Sequence, residues 1–344
     1  MPHRSVALIP AYKPDERALE VARSLNELGF YRILAVSDGN SAEYEPVLSA
    51  LEAIPNVTLL RHSVNMGKGR ALKTAFDYIL KTWPGCNAVC VDCDGQLGGA
   101  DAVRGAQLAA EHPDSLILGC RDLRHTENVP AANRFGNFAT RLSLRLLTGI
   151  RFADTQCGLR AYPPAVMKQL LAVGGERFEF ENNTLLHVRR ASLPIVEYPI
   201  SVVYEKNEGY TTTFRKIHDS IMIYKNLLSF LTAPTLTYLL SLVLWLGLSM
   251  SGWFGLWGYS AVFALALFAG VGLTALVVPN PKRLLLGGGI LSLLAGGAVF
   301  GLGSLGLLPA EILAALLLPC YFGLCVNFRR LGYGPLPKVL RLKR

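Results

Sequence analysis

The sequence predicts an α/β domain with a mostly parallel sheet, followed by an α-helical transmembrane region of about four spans. Up to Leu118, short apolar runs alternate with segments of helical periodicity, as they do when helices cover a parallel sheet. After Leu227 the chain consists mainly of Leu, Ala, Gly, Val and Phe. The mean hydropathy of +0.33 is high for a soluble protein, and this second half accounts for it.

Five short apolar runs are predicted to form buried strands of the sheet. They are Ser5–Ile9, Ile33–Val36, Val57–Leu60, Ala88–Val91 and Leu116–Leu118. Ligands of open α/β sheets bind beyond the carboxyl ends of the strands. Pro10, Asp38, Asn65 and Asp92 all fall just past such ends, so we expect a binding site at this edge of the sheet.

Helical apolar spacing predicts the helices that alternate with these strands. The first starts near Pro14, with Asp15 and Glu16 at its positive end, and stops before Gly29. The next three are predicted at Glu43–Leu51, Gly67–Thr82 and Ala102–Ala110. Each lies between two strands, where a helical crossover connects parallel neighbours.

Two further helices, Asn133–Leu147 and Thr213–Leu228, are expected to be amphipathic and basic. The first carries Arg134 and Arg141 beside its apolar stripe, and the second carries Lys216. Such helices can lie in a membrane interface, or they can be ordinary core-facing helices with solvated charges. The second is expected at the interface, because it leads directly into the apolar region. For the first helix both interpretations stay open.

Four apolar stretches approach the roughly 20 residues that an α-helix needs to cross a bilayer. They are predicted at Phe230–Ser249, Leu256–Val278, Leu284–Leu305 and Ala310–Phe328. The loop 279–283 and the tail 329–344 are basic, whereas the loops 251–255 and 306–309 are uncharged. The positive-inside rule then places the N-terminal domain and the C-terminus in the cytoplasm. The predicted parts are a globular domain at 1–212, an interface helix at 213–229, the spans at 230–328 and a basic cytoplasmic tail at 329–344.

Charge and cysteine content argue against other classes of protein. The net charge is +9, but no basic run is interleaved with aromatic residues, so nucleic acid is not an expected partner. Among seven cysteines only Cys90 and Cys93 form a C-x-x-C pair, which predicts core residues rather than a zinc or redox site. No signal sequence precedes the first strand, so the first domain is expected to stay in the cytoplasm. Because of the predicted spans we expect an integral membrane protein, with a bacterial inner membrane as its location. A homo-oligomer is left open.

Two carboxylates follow the fourth predicted strand, in Asp92-Cys93-Asp94-Gly95-Gln96. Mg²⁺ and Mn²⁺ prefer oxygen ligands, and Mg²⁺ often binds only one or two carboxylates together with phosphates. Acidic pairs are common in turns. The position directly after a buried strand, more than the pair itself, therefore predicts a divalent-cation site.

The turn Asn65-Met66-Gly67-Lys68-Gly69 opens a predicted helix. Glycines let the backbone approach a phosphate closely, and a helix start offers free N–H groups. The spacing is not that of a Walker A loop. The turn is expected to contact a phosphate-bearing ligand or to shape the site, and the alternative is a solvated turn with a lysine.

Seven short motifs follow one another between residues 10 and 158. They are Pro10-Ala11-Tyr12, Val36-Ser37-Asp38-Gly39, Asn65-x-Gly67-Lys68-Gly69, Asp92-x-Asp94-Gly95-Gln96, Gly119-x-Arg121, Arg134-x-x-Gly136-Asn137 and Asp154-Thr155-Gln156-Cys157-Gly158. Over residues 5–225 the chain resembles the GT-A (Rossmann-like) members of glycosyltransferase family 2, close to dolichol-phosphate mannose synthases and bacterial polyprenyl-phosphate glycosyltransferases. The resemblance implies a membrane-bound enzyme that moves a sugar, with inversion, from a GDP- or UDP-linked nucleotide-sugar to polyprenyl or dolichyl phosphate. The product would be a lipid-phosphate-sugar for cell-envelope or glycan assembly.

The resemblance also implies roles for individual residues. Asp94, Asp154 and Arg121 would be catalytic, and Arg121 would meet the donor diphosphate or the acceptor phosphate. Mg²⁺ or Mn²⁺ would be surrounded by Asp92, Asp94 and Gln96. The donor would be bound by Pro10, Tyr12, Val36, Asp38, Lys68, Asp92, Cys93, Lys206 and Arg215. The acceptor phosphate and the membrane interface would be met by Arg134, Arg141 and Lys216.

The chain departs from the family pattern at two places. Where relatives often have Asn-Glu, this chain has Lys13 and Pro14, so a carboxylate that contacts the nucleoside is missing or is supplied by Asp15 or Glu16. Where relatives commonly have histidine after the glutamine, this chain has Leu97. The first departure leaves the identity of the donor open.

Asp154 is expected to orient the acceptor or to act as a base, and its alternative role is to cap a turn. A strong base is not required, because a lipid phosphate is already anionic and can attack once it is positioned.

Two other functions remain in consideration. A processive polysaccharide synthase is disfavoured because its Gln-x-x-Arg-Trp motif is absent, and an inactive membrane scaffold is disfavoured by the intact Asp92 and Asp94 pair.

Overall fold

The computed structural model describes residues 4–123, 126, 129–202 and 336–342, and the single positions 282, 286, 290, 292–294, 297, 300 and 304. The chain divides into two compact units. The first comprises Met1–Arg145, Ile150–Asn226 and Pro337–Arg344, and the second comprises Leu146–Gly149 and Leu227–Leu336. In the second unit, the described positions between 282 and 304 are helical.

The first unit alternates strands and helices. The strands are β1 Ser5–Ala11, β2 Arg32–Asp38, β3 Val57–His62, β4 Asn87–Cys90, β5 Leu116–Arg121, β6 Arg160–Tyr162, β7 Ile195–Ile200 and β8 Val339–Arg341. The helices are α1 Glu16–Glu27, α2 Glu45–Glu52, α3 Lys68–Thr82, α4 Gly99–Glu111, α5 Ala131–Thr148, α6 Pro164–Leu170 and α7 Glu179–Ala191. A 3₁₀ turn at Ala42–Tyr44 precedes α2.

The strands form one sheet in the order β3-β2-β1-β4-β6-β5-β7-β8. All neighbours are parallel except the two pairs that include β6. The mostly parallel α/β domain predicted from the sequence is confirmed. All five predicted strands and the five predicted helices up to Thr148 are present, with ends that differ by a few residues.

Burial explains why these segments form the elements they do. Every residue of β1 except Pro10 is buried, as expected for a central strand covered on both faces. In α1 the side chain of Asp15 accepts a hydrogen bond from the Arg17 N–H, which caps the helix start. Ala18 and Leu25 lie on the buried face of that helix. Burying one large aliphatic side chain contributes about 1.5–3 kcal/mol. The many buried side chains of this core therefore stabilise the sheet that carries the candidate site.

The sequence did not predict the last three strands. β6 has only three residues and contains Arg160, so it lacks a clear apolar pattern. β7 interrupts its apolar residues with Glu197, and β8 lies within the predicted tail 329–344. The helices α6 and α7 were not predicted either. Short length and internal charges hide all of these elements from pattern analysis.

The predicted interface helix at 213–229 lies outside the described residues. The predicted spans at 230–328 also lie outside them, apart from the single helical positions named above. Within the part of the chain that the structure describes, no helix has the length and apolar character needed to span a bilayer.

Candidate active site

The candidate site lies at the carboxyl edge of the sheet. Asp92 follows β4 and Arg121 ends β5. Antiparallel β6 lies between these two strands, with Arg160 opposite both Cys90 and Leu118. Because β6 runs in the opposite direction, the loop that precedes it emerges at the same edge. Its inversion therefore brings the segment 154–158 to the ends of β4 and β5.

Asp38, at the end of β2, organises the turn before α3. Its carboxylate accepts hydrogen bonds from the N–H groups of Met66 at 2.9 Å and Gly67 at 2.7 Å. The Asn65 amide donates to it at 3.1 Å, and His62 Nδ1 lies 2.9 Å from it. The residue is only 3% exposed. The geometry gives Asp38 a role in shaping this turn.

Gly67 lets the same turn close. Its φ of +101° lies in the region that favours glycine. A Cβ added there would come within 2.5 Å of Arg177 Cγ and 2.6 Å of the Glu176 carbonyl oxygen. The turn is packed too tightly for any side chain at this position, and it places Lys68 as the first residue of α3.

Lys68 joins two carboxylates. Its ammonium lies 2.8 Å from Asp92 Oδ1 and 3.0 Å from Glu181 Oε1. Burial alone would lower the pKa of Lys68, but the two carboxylates outweigh it and hold that pKa well above its usual value. Lys68 is therefore a permanent cation beside the first carboxylate of the Asp-x-Asp motif.

Asp92 also packs against Gly158, where an added Cβ would overlap its carboxylate. The second carboxylate, Asp94, accepts a hydrogen bond from the Gln96 N–H at 3.0 Å within the same turn. Burial raises the pKa of the intervening Cys93 thiol to about 12, so that thiol stays protonated at neutral pH. This agrees with a packing role for Cys93.

Two carboxylates suit a hard divalent cation whose remaining ligands are phosphate oxygens and waters. Asp92 and Asp94 provide such a donor set, and the side-chain oxygen of Gln96 is a third group of the same chemistry. Among the described residues, no group of three or more His, Cys, Asp or Glu side chains is arranged to hold a metal. The chemistry of this pair fits a divalent cation whose remaining ligands come from outside the protein.

Arg121 and Asp154 form a buried, two-point ion pair. Arg121 Nε lies 2.7 Å from Asp154 Oδ2, and Nη2 lies 3.1 Å from Oδ1. The Asp154 side chain has no exposed surface, and the Arg121 side chain is 13% exposed. Asp154 also accepts from the N–H groups of Arg121 and Gln156. This arrangement suits Asp154 to fixing Arg121 and the turn, and much less to removing a proton from a substrate.

The loop that carries Asp154 is anchored to α5. Asn137 Oδ1 accepts from the Thr155 N–H at 3.2 Å and from its hydroxyl at 3.0 Å. The Gln156 amide lies 3.4 Å from the Thr140 hydroxyl, and Arg141 Nε donates to the Phe152 carbonyl at 3.0 Å. One face of α5 therefore holds the loop in place.

The other face of α5 is apolar and exposed. Phe135 is 71% exposed, Phe138 60% and Leu142 43%. Asn137 and Thr140, on the packed face, are 3% and 2% exposed. This is the reverse of an ordinary core-facing helix, which buries its apolar stripe. The burial pattern therefore does not match an ordinary core-facing helix, one of the two interpretations left open for α5.

The remaining predicted residues fall in different environments. Pro10 and Tyr12 are half-buried at the end of β1. Val36 is completely buried, so its side chain is not available to a ligand. Arg134 is exposed on α5, with Nη2 3.4 Å from the Thr126 carbonyl. Three predicted basic residues lie outside the described part of the chain, namely Lys206, Arg215 and Lys216.

Sequence analysis missed three charged residues that shape the site. Arg160 donates to the carbonyl oxygens of Cys157, Glu181 and Thr155 while only 1% exposed. Glu181 pairs with Lys68, and Glu197 accepts from a backbone N–H of the 151–156 loop. Glu197, flanked by Ile195, Val196, Tyr198 and Ile200, gives a usable signal, because a charge within an apolar run indicates a buried partner. Arg160 begins a strand of three residues and gives no such signal. Glu181 lies on a polar helix start and gives no such signal.

Comparison with known proteins identifies the domain. Residues 6–168 match the sequence family Glycosyl transferase family 2. An uncharacterised protein of Methanocaldococcus jannaschii is 26% identical over 200 residues, which cover 57% of this chain and 80% of that protein. The UDP-N-acetylglucosamine–dolichyl-phosphate N-acetylglucosaminyltransferase of Methanococcus voltae is 25% identical over 213 residues, which cover 57% of this chain and 84% of that enzyme.

Solved structures give weaker similarity. A mycobacterial protein aligns with a TM-score of 0.48 and 15% identity, covering 66% of this chain and 75% of its own. S. aureus TarS 1–349 in complex with UDP-GlcNAc aligns with a TM-score of 0.41 and 13% identity, covering 87% and 92%. These scores are too low to support a conclusion about fold or ligand. The sequence match and the GT-A-like α/β sheet carry the assignment: residues 6–168 form a glycosyl transferase family 2 domain, and the protein is a glycosyltransferase.

Proposed function

We propose that this enzyme moves a sugar from a GDP- or UDP-linked nucleotide-sugar to a polyprenyl or dolichyl phosphate, with inversion at the anomeric carbon. The observation that carries the proposal is the two-faced helix α5. Its exposed face is apolar and basic, and its packed face holds the loop that carries Asp154, which in turn binds Arg121 at the end of β5. The surface that would face the lipid therefore belongs to the same helix that is hydrogen-bonded to the loop carrying Asp154.

The exposed face of α5 has the composition of a helix that lies in a membrane interface. Phe135, Phe138 and Leu142 follow one another at helical spacing, with Arg134 and Arg141 exposed near them. Apolar side chains of such a helix enter the boundary between headgroups and acyl chains, and its arginines meet anionic headgroups. In this orientation the site would stand at headgroup level, where the phosphate of a prenyl lipid lies.

The chemistry of the acceptor also requires an apolar surrounding. A prenyl chain gains about 0.8 kcal/mol for each CH₂ group that it buries in the membrane, so its phosphate is available only at the surface. An enzyme for this acceptor must bring its site to that surface. The Methanococcus relative, by its name, uses UDP-N-acetylglucosamine and dolichyl phosphate, which supports the same pair of substrate classes here.

In the proposed reaction, an oxygen of the lipid phosphate attacks the anomeric carbon of the sugar. The bond between that carbon and the nucleoside diphosphate breaks, its electron pair leaves with the diphosphate, and the configuration inverts. The attacking phosphate is ionised at neutral pH, so no protein group has to remove a proton. This agrees with the buried Asp154 carboxylate, whose proposed task is to hold the Arg121 guanidinium toward a phosphate.

The Asp-x-Asp pair has the complementary task on the donor side. Asp92 and Asp94, with Gln96 beside them, would hold Mg²⁺ or Mn²⁺, and the bound cation would supply counter-charge for the departing diphosphate. Lys68 keeps the Asp92 carboxylate in place through a contact of 2.8 Å and adds a positive charge at the same edge. Glu181 fixes Lys68 in turn.

The membrane anchor is the remaining part of the proposal. The apolar stretches within 230–328 would form four spans, and basic residues of 279–283 and 329–344 would keep the catalytic domain and the C-terminus in the cytoplasm. Lys206, Arg215 and Lys216 would then add positive charge next to the membrane.

The test is a transfer assay with a panel of donors. Purified protein receives radiolabelled GDP- and UDP-sugars, one at a time, with undecaprenyl or dolichyl phosphate and Mg²⁺. We expect one donor to give a labelled product that partitions into organic solvent. A labelled polymer would support a processive polysaccharide synthase instead. No transfer from any donor to either lipid would contradict the proposal.

A further inference from the structure

A strand from the far end of the sequence completes the catalytic sheet. β8 pairs in parallel with β7, which ends well over a hundred residues earlier in the chain. The Ile195 N–H donates to the Lys338 carbonyl at 2.9 Å, and the Leu342 N–H donates to the Glu197 carbonyl at 2.9 Å. Leu342 packs against the core of the sheet. The strand β8 is therefore an integral part of the sheet of the first unit.

A charged side chain of β8 pairs with a buried one of β7. Arg341 Nε lies 2.7 Å from Glu197 Oε2, and the Glu197 side chain is 2% exposed whereas that of Arg341 is 51% exposed. The other oxygen of Glu197 accepts from the Ala153 N–H at 2.7 Å. Arg341 Nη2 also donates to the Arg151 carbonyl oxygen. A buried carboxylate is costly without an oppositely charged partner, so the ion pair with Arg341 stabilises Glu197 in its buried position.

These contacts end at the active-site loop. Arg341 holds residue 151 directly and residue 153 through Glu197. The next residue, Asp154, holds the Arg121 guanidinium at two points. We propose that Arg341 is a positioning residue for catalysis, and that β8 fixes the 151–156 loop so that Asp154 can aim Arg121. The kinetic part rests on the function proposed above for Arg121, but the structural part does not.

The first measurement is independent of activity. Hydrogen–deuterium exchange is followed for the peptide that covers 151–156 in the full chain, in wild type, in Arg341→Met and in Lys338→Met. Lys338 is exposed on the segment that leads into β8, so its replacement removes the same charge without touching Glu197. We expect faster exchange in that peptide for Arg341→Met only. Unchanged exchange in a folded Arg341→Met protein would overturn the proposal.

Should Arg341→Met not fold, Arg341→Gln keeps an N–H donor near Glu197 but loses the charge. The 151–156 peptide of Arg341→Gln should then exchange faster than that of wild type. The increase should be smaller than for a variant that loses the contact with Glu197 completely. Exchange equal to that of wild type in a folded Arg341→Gln protein would equally overturn the proposal. The midpoint of thermal unfolding, measured on each variant, establishes that the proteins compared are folded.

The second measurement is kinetic. Arg341→Met should lower kcat by about 10- to 100-fold, the size of effect that small misplacements produce, while the donor KM stays near its wild-type value. Arg341→Lys should recover part of the loss. In an Arg121→Met background the Arg341→Met change should add no further loss, whereas equal losses in both backgrounds would mean a general structural role. If wild type transfers no sugar to a lipid phosphate, the proposed function fails, and the exchange result still decides the positioning role.

Discussion

Oppositely charged side chains fix one another at the catalytic edge. Lys68 forms ion pairs with Asp92 and Glu181, and Arg121 forms an ion pair with Asp154. Most of these groups are shielded from water, where removing one partner leaves an uncompensated charge and typically costs several kcal/mol. Each residue therefore acts on its partner's position as much as on a ligand.

Gly158 gives a way to move Asp92 without changing any charge. A Cβ at Gly158 would overlap the Asp92 carboxylate, so Gly158→Ala should push that carboxylate away from Lys68. We expect the transfer rate to fall by about 10- to 100-fold with little change in thermal stability. The matched control is Gly174→Ala, because nothing lies within 4 Å of a Cβ at that position. A wild-type rate in Gly158→Ala would mean that the observed position of Asp92 is not needed.

Asp94 gives the corresponding test of metal dependence. Asp94→Ala should abolish transfer supported by Mg²⁺ or Mn²⁺ while the protein stays folded, because the leaving diphosphate loses its counter-charge. Transfer is measured with each metal and in excess EDTA, and folding is checked by circular dichroism. Full activity in excess EDTA would contradict a metal-assisted reaction.

Local sequence patterns predicted the site residues that directly follow strands. They did not predict the charged residues that pair with those residues or with the loops beside them. Asp92 was predicted from its position after an apolar run, and Asp38 was assigned to the donor through its motif. In the structure the Asp38 carboxylate accepts hydrogen bonds from the turn before α3, and its contact with the donor stays a prediction. Glu181 and Glu197 reach the site only through long-range packing, which no local pattern encodes. The antiparallel direction of β6, which brings Asp154 to the edge, was equally invisible because the strand has three residues.

At the scale of elements, α5 is the informative case. Periodicity established that the helix is amphipathic, yet it did not decide which face packs against the sheet domain. The decision comes from Asn137 and Thr140, which are buried because they bond to the 151–156 loop. Because the polar face of α5 packs against the loop, its apolar stripe is exposed. Hydrogen-bonding partners, more than hydrophobicity, orient this helix.

Charge reversal on α5 should affect the acceptor more than the donor. Arg134 is exposed at the start of the helix, so Arg134→Glu should repel anionic headgroups and the acceptor phosphate. We expect a higher apparent KM for lipid phosphate and little change in the KM for nucleotide-sugar. Arg23→Glu, an equally exposed reversal on α1, serves as the control. An unchanged lipid KM with a raised donor KM would show that α5 is not an acceptor element.

At the scale of the whole molecule, β8 constrains how the chain can cross a membrane. β7 and β8 belong to the same sheet, and the apolar region lies between them in sequence. If that region spans a bilayer, it must do so an even number of times, because both strands lie on one side. This requirement is independent of the positive-inside rule and agrees with four predicted spans.

Accessibility of tags tests this topology. Tags at residue 1, near Asn280 and at residue 344 should be protected from a membrane-impermeant reagent in intact cells, and a tag near Ser251 should react. The basic segments at 279–283 and 329–344 and the uncharged loop at 251–255 give the physical reason. A reactive tag at residue 344 together with a protected tag at residue 1 would require an odd number of spans and contradict the pairing of β8 with β7.

The proposed acceptor is an ionised lipid phosphate, which needs no general base. The direct measurement compares polyprenyl phosphate with the matching polyprenol, using the donor found active and the same detergent and metal. The buried, arginine-paired Asp154 predicts labelled product from the phosphate and none from the alcohol, because a hydroxyl would require proton removal. Transfer to the alcohol at a comparable rate, or to a polymer without any lipid phosphate, would contradict the account.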